Sequence, residues 1–210
     1  MMPFLRLALS EGLTYTYDPT AAAGSRITRI WLNGTAIDPV GSYSVTVNSF
    51  LAAGGDNFTV FAQGTNRRDT GKVDLQAMVD YMATFSPVSP DYSQRSVGVV
   101  FPAGAPATYQ AGETVTFNLT SLAMTNVADV KDTELALSLA GTPVGTAAVT
   151  NTIGTDVFDE NGTATVTFVV PAGTPGGVQS VSLVGNNTGT TTSVPITVFV
   201  PKIVTTTTLT

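Results

Sequence analysis

Alternation of apolar and polar positions marks most of this chain as β-structure. Leu13, Tyr15 and Tyr17 alternate with Thr14 and Thr16, the period of a half-buried strand, and Asp18-Pro19 ends it. Residues 26–32 (RITRIWL) and a short return strand flank Asn33-Gly34, a pair suited to a hairpin turn in which both central residues need positive φ. Tyr43, Val45 and Val47 alternate with Ser44, Thr46 and Asn48, predicting another strand, and Phe58 to Ala62 (FTVFA) a further one. The opening MMPFLRLALS is also read as a strand. Its apolar run is short, broken by Arg6, and lacks the basic start and small-residue cleavage site of a secretory leader. One segment changes period: from Asp74, taken as the N-cap, Leu75, Met78, Val79 and Met82 recur at helical spacing, giving one apolar face to lay on a sheet.

Beyond Ser86 to Asp91 (SPVSPD), whose prolines discourage a helix from continuing, no helical pattern returns. Short strands are expected at 97–101, 114–119, 134–139, 145–150, 163–170, 178–184 and 194–200, with turn clusters between several of them. Seven short strands in this length suit an immunoglobulin-like sandwich. The expected fold class is therefore an α+β domain over 1–95, a mixed sheet with one clear helix, followed by an all-β immunoglobulin-like sandwich over 96–203. Residues 204–210 read as a linker or the start of a further domain. Charge follows the same division, since residues 1–95 are nearly balanced whereas 96–210 carry only Lys131 and Lys202 against seven acids.

Composition narrows the chemistry. The chain has 210 residues, a net charge of −6, 11% charged residues, no cysteine and no histidine. So acidic a chain has no footprint for a nucleic-acid backbone. Without cysteine there is no disulfide or thiolate nucleophile; without histidine, no Ser-His-Asp triad and no histidine-containing two-metal centre. No run of residues has the length and apolar character of a membrane span. No catalytic residue and no metal ligand is assigned. Asp156, Asp159 and Glu160 beside the Asn161-Gly162 turn could hold calcium through oxygen ligands, or simply cap an exposed hairpin.

The segment Asn48 to Phe58 (NSFLAAGGDNF) is the chemical candidate. With the strand running straight to residue 50, Phe50 lies among Ser44, Thr46 and Asn48 on the polar face. Gly54 and Gly55 allow a tight turn or close ligand approach, and Asp56 places an acceptor-only carboxylate at its mouth. Aromatic, glycines and carboxylate suit a nucleoside clamp, the ring stacking on a base and the carboxylate accepting from ribose hydroxyls. The same residues also fit a plain loop between strands with Phe50 in the core. Arg67 and Arg68, before the helix, suit either a phosphate contact or a solvated loop with Asp69 and Lys72 as partners.

GLTYTYDP, LNGTAIDP, VNSFLAAGGDNF and RRDTGKVDLQAMVDYM together resemble, in order and spacing over residues 5 to 98, the C-terminal domain of the 5′-nucleotidase family. The resemblance implies that Phe50 stacks on one face of the base, that Asp56 holds the ribose hydroxyls, and that Gly54 and Gly55 form the loop between them. The family's second aromatic maps only onto Phe4, with Arg6 as the alternative occupant, and its phosphate-gripping arginines do not map. The second half resembles, by composition, β-sandwich modules of secreted actinobacterial nucleotidases and nucleases.

The implied function is a substrate-recognition fragment of a secreted 5′-nucleotidase-type metallophosphoesterase, outside the cell or at its surface. Its partners would be a nucleoside or nucleotide and a metallophosphoesterase domain, with no cofactor in this chain and divalent metals in the missing catalytic domain. The alternative is a structural or adhesive extracellular immunoglobulin-like module with a vestigial pocket.

Overall fold

A computed structural model describes residues 7–124, 126–153 and 161–201. These form two compact units: one from 7–37 and 91–201, the other from 38–90.

The first unit is built on two β-sheets. Strands β1 (Leu13–Tyr17), β2 (Ile27–Leu32) and β3 (Thr35–Ala36) form where the alternation places them, and the turn between β2 and β3 has Asn33 at φ 52° and Gly34 at φ 76°. Positive φ at both positions is what Asn-Gly accommodates. The later strands are β4 (Ser96–Val100), β5 (Thr114–Thr120), β6 (Glu134–Leu139), β7 (Thr142–Ala148), β8 (Ala164–Val169), β9 (Gly177–Gly185) and β10 (Thr191–Val198). One sheet has the order β3-β2-β1-β4-β5-β8 and the other β10-β9-β6-β7.

The first sheet is mixed. β1 runs parallel to β4, with Tyr15 opposite Ser96, and antiparallel to β2. That parallel pairing carries the sheet past the boundary expected near residue 95, because β4 offers its hydrogen-bonding edge to β1. Tyr17 Oη and Ser121 Oγ, 2.7 Å apart and buried, join β1 to the segment after β5.

Alternating positions of both sheets meet in one apolar cluster. Val115, Phe117 and Leu119 of β5 and Val166 and Phe168 of β8 pack with Leu135, Leu137, Val181, Leu183, Val194 and Ile196 of the other sheet. Every buried residue among those described belongs to this unit. At one end of the core the Asp132 carboxylate, 0% exposed, accepts from the amides of Asn187 (2.7 Å) and Thr188 (2.8 Å) and from Thr188 Oγ1 (2.5 Å). A buried carboxyl group is tolerated when its oxygens are hydrogen-bonded.

The second unit departs most from the expected elements. Residues 42–48 enter no ladder, so the strand expected at Tyr43–Asn48 is absent. Alternation makes a strand only where a neighbouring strand supplies hydrogen bonds. Phe58–Ala62, expected as a strand, lies mostly in a 3-10 turn over Thr59–Gln63, with Phe61 N–H donating to Phe58 O at 3.2 Å. Helix α1 (Ser49–Ala52) stands where the first strand was expected to run through residue 50. Helix α2 (Asp74–Phe85) forms as the periodicity predicts, with Val73 rather than Asp74 at the N-cap and Asp74 Oδ1 accepting from Leu75 N–H. On its apolar face, Leu75 is 71% exposed. Local bonds brace the helix: Lys72 pairs with Asp80, Gln76 Nε2 donates to Asp80 Oδ1 at 2.7 Å, and the Tyr81 and Phe85 rings lie 4.9 Å apart. Residues 7–10 form no strand; the rest of the opening strand lies outside the described residues. So does the tail expected over 204–210.

Candidate functional site

Asn48 starts the site by capping α1, its Oδ1 accepting from Leu51 N–H at 2.8 Å. Phe50 therefore lies on the first turn of a short helix, not on the polar face of a strand. Ala53 donates to Ser49 O, and Gly54 N–H donates to Leu51 O at 2.9 Å before turning left-handed at φ 88°, ψ 21°. Glycine suits that position because it lacks a Cβ. A 3-10 turn over Gly55–Asn57 follows, closed by Phe58 N–H donating to Gly55 O at 3.0 Å, with Asp56 itself left-handed at φ 50°.

This path brings the Phe50 ring against Gly55. A Cβ on Gly55 would meet three ring carbons at 2.5–2.6 Å, so glycine is what lets the ring lie there. The ring is 57% exposed. One side rests on backbone and a large part faces solvent, which excludes the reading of Phe50 as core. Asp56 is exposed, and its carboxylate has no hydrogen-bond or ion-pair partner among the described residues. The ring, the two glycines and the carboxylate thus share one short turn.

Arg67 Nη2 donates to Ala52 O at 2.6 Å, while Lys72 pairs with Asp80 and Asp69 Oδ1 accepts from Gly71 N–H. The partners expected for Arg67 within its own loop are thus not the ones it takes. Two site features escaped the sequence reading. The cap at Asn48 had a signal, an Asn followed within three residues by the helix-favouring Leu-Ala-Ala. The Arg67–Ala52 bond spans fifteen positions and had none.

Phe4, Arg6 and the carboxylates Asp156, Asp159 and Glu160 lie outside the described residues. No three acidic groups gather into a metal-holding cluster among those described, and the chain has no histidine or cysteine. No helix among the described residues is long and apolar enough to cross a membrane.

The family model for the 5′-nucleotidase C-terminal domain matches residues 3–63, which contain β1–β3, α1 and the Gly54–Asp56 turn. A 5′-nucleotidase-related protein of Glossina morsitans morsitans is 32% identical over 93 residues, covering 40% of this chain and 17% of that protein. The trifunctional nucleotide phosphoesterase protein YfkN of Bacillus subtilis (strain 168) is 30% identical over 97 residues, covering 43% and 7%. The chain thus spans less than a fifth of the length of either relative. Over residues 3–63, the Phe50–Asp56 turn included, it is similar to the C-terminal domain of 5′-nucleotidases.

Proposed function

We propose that residues 48–58 form a nucleoside-recognition element serving nucleotide breakdown by a secreted or cell-surface 5′-nucleotidase-type phosphoesterase. Phe50 stacks on one face of the base, and Asp56 accepts hydrogen bonds from the two ribose hydroxyls. The observation that carries this reading is the Phe50 ring, supported on one side by Gly55 and 57% exposed, in a segment that matches the nucleotidase domain. An exposed aromatic costs apolar hydration unless something covers it, and a base does so at a gain of about 1–3 kcal/mol. An unpartnered carboxylate six positions along the same segment suits paired hydroxyl donors.

Hydrolysis itself belongs, in this proposal, to a metallophosphoesterase unit that these 210 residues do not supply. The chain contributes specificity, and residues 96–203, read as an immunoglobulin-like module, act as spacer or anchor. Titration with adenosine, read by intrinsic fluorescence, tests the site: a saturable response in the wild type that Phe50→Ala abolishes supports it. No saturable response, or one unchanged in Phe50→Ala, rules out Phe50 as a working stacking platform. The second reading, a structural or adhesive module with a vestigial pocket, is favoured by one observation: all the buried residues among those described lie in the two-sheet unit.

A further inference from the structure

We infer that Arg67 is a positioning residue for the Phe50–Asp56 turn, an inference that rests on the nucleoside-recognition reading above. Its guanidinium reaches Ala52 O through Nη2 at 2.6 Å. Ala52 ends α1, two residues after Phe50 and four before Asp56. The carbonyls of a helix's last turn have no intrahelical partner, so a side-chain donor there holds the end of the helix.

The bond also closes a loop. Between residues 52 and 67 lie Gly54, Gly55, Asp56 and both 3-10 turns, the whole segment that follows the stacking ring. No residue of this unit is fully buried, so apolar packing holds the segment less firmly and a charge-assisted hydrogen bond has a larger share in fixing it. Three left-handed non-glycine residues, Asp56, Asn57 and Asn66, add backbone strain that the closed loop must hold. Arg67 is suited to the task because its planar head is charged at any ordinary pH and keeps its donors in a fixed fork. Arg68 differs by one position and has no such bond. Arg67 acts on the ligand through Ala52 and the turn, and touches neither base nor ribose.

The test compares Arg67→Ala, Arg67→Lys and Arg68→Ala in the full chain. Three quantities are measured: amide hydrogen exchange of residues 53–58 without ligand, affinity for adenosine, and the thermal midpoint. Arg67→Ala is expected to speed exchange at 53–58 and weaken adenosine binding, each by about five- to tenfold, without moving the midpoint, which reports the two-sheet core. Arg67→Lys, which can still donate to Ala52 O, restores most of both, and Arg68→Ala changes neither. Exchange and affinity unaltered in Arg67→Ala would overturn the inference. So would equal effects of Arg67→Ala and Arg68→Ala, which would report net charge alone. If the wild type binds no adenosine, the function proposed above falls, while the exchange measurement still upholds or overturns the closure by Arg67.

Discussion

Phe50 and Gly55 occupy space that neither could keep if Gly55 carried a side chain: a Cβ there would stand 2.5 Å from the phenyl ring. The relationship turns an aromatic and a glycine, five residues apart, into a supported platform. It depends on α1, which winds the chain so that Phe50 meets the turn that follows.

Gly55→Ala is therefore expected to swing the exposed ring away rather than disturb the fold. The ring is free to move at one edge, so the stability cost should stay near 1 kcal/mol. The ring-proton shifts of Phe50 and any adenosine affinity should be lost together. A Gly55→Ala protein with wild-type ring shifts would show that the ring does not rest on this glycine.

Much of the two-sheet unit was legible because its signals are local or periodic. Asn33-Gly34 encodes its own turn, and the alternation at 114–119 or 178–184 needs only a partner, which the other strands supply. The parallel pairing of Tyr15 with Ser96 was not legible, since nothing in either strand names a partner eighty positions away. At the candidate site the element was misread, since Phe50 lies on α1 and not on a strand. Period-two alternation from Tyr43 ran into Asn48, and there the asparagine cap, a competing local signal, won.

Asp132 holds the loop between β9 and β10 against the core, and two substitutions probe it. Asp132→Ala leaves the amides of Asn187 and Thr188 without their acceptor and should cost about 3 kcal/mol in chemical denaturation. Gly185→Ala pushes a methyl into the buried carboxylate, which has no room to swing, and should cost about 1–3 kcal/mol. A loss below about 0.5 kcal/mol for both would place the holding contacts elsewhere.

Alkaline stability should depend on Tyr109. Burial first, and the Glu113 carboxylate second, push its phenol above the ordinary value of about 10. Folding thus favours the neutral form. Its contribution is fully present below the unfolded value and is lost as pH rises through the higher folded one. Tyr109→Phe should flatten the fall in stability above about pH 10, measured by urea denaturation from pH 7 to 12. An unchanged alkaline slope would remove Tyr109 as its source.

Helix α2 should respond to acid in the opposite sense. The Lys72 bond first, and the Gln76 bond second, hold Asp80 below the usual carboxylate range. That stabilisation is present above the ordinary carboxylate value and fades as pH falls through the lowered one. Amide protection along Asp74–Phe85, taken relative to the intrinsic exchange rate at each pH, should fall on acidification, and in Asp80→Asn it should already be low at neutral pH with little further change. By contrast Leu75→Gln, on the exposed apolar face, should move stability by less than about 0.5 kcal/mol.

The most direct test of the account is the amide and methyl spectrum of the full chain titrated with adenosine and, in parallel, with its 3′-deoxy analogue. The account predicts saturable shifts centred on residues 48–58, weaker binding of the analogue, and loss of that discrimination in Asp56→Asn while Phe50→Ala weakens both ligands alike. Saturable shifts that map to the two-sheet unit, or the absence of any shift at 48–58, would contradict it.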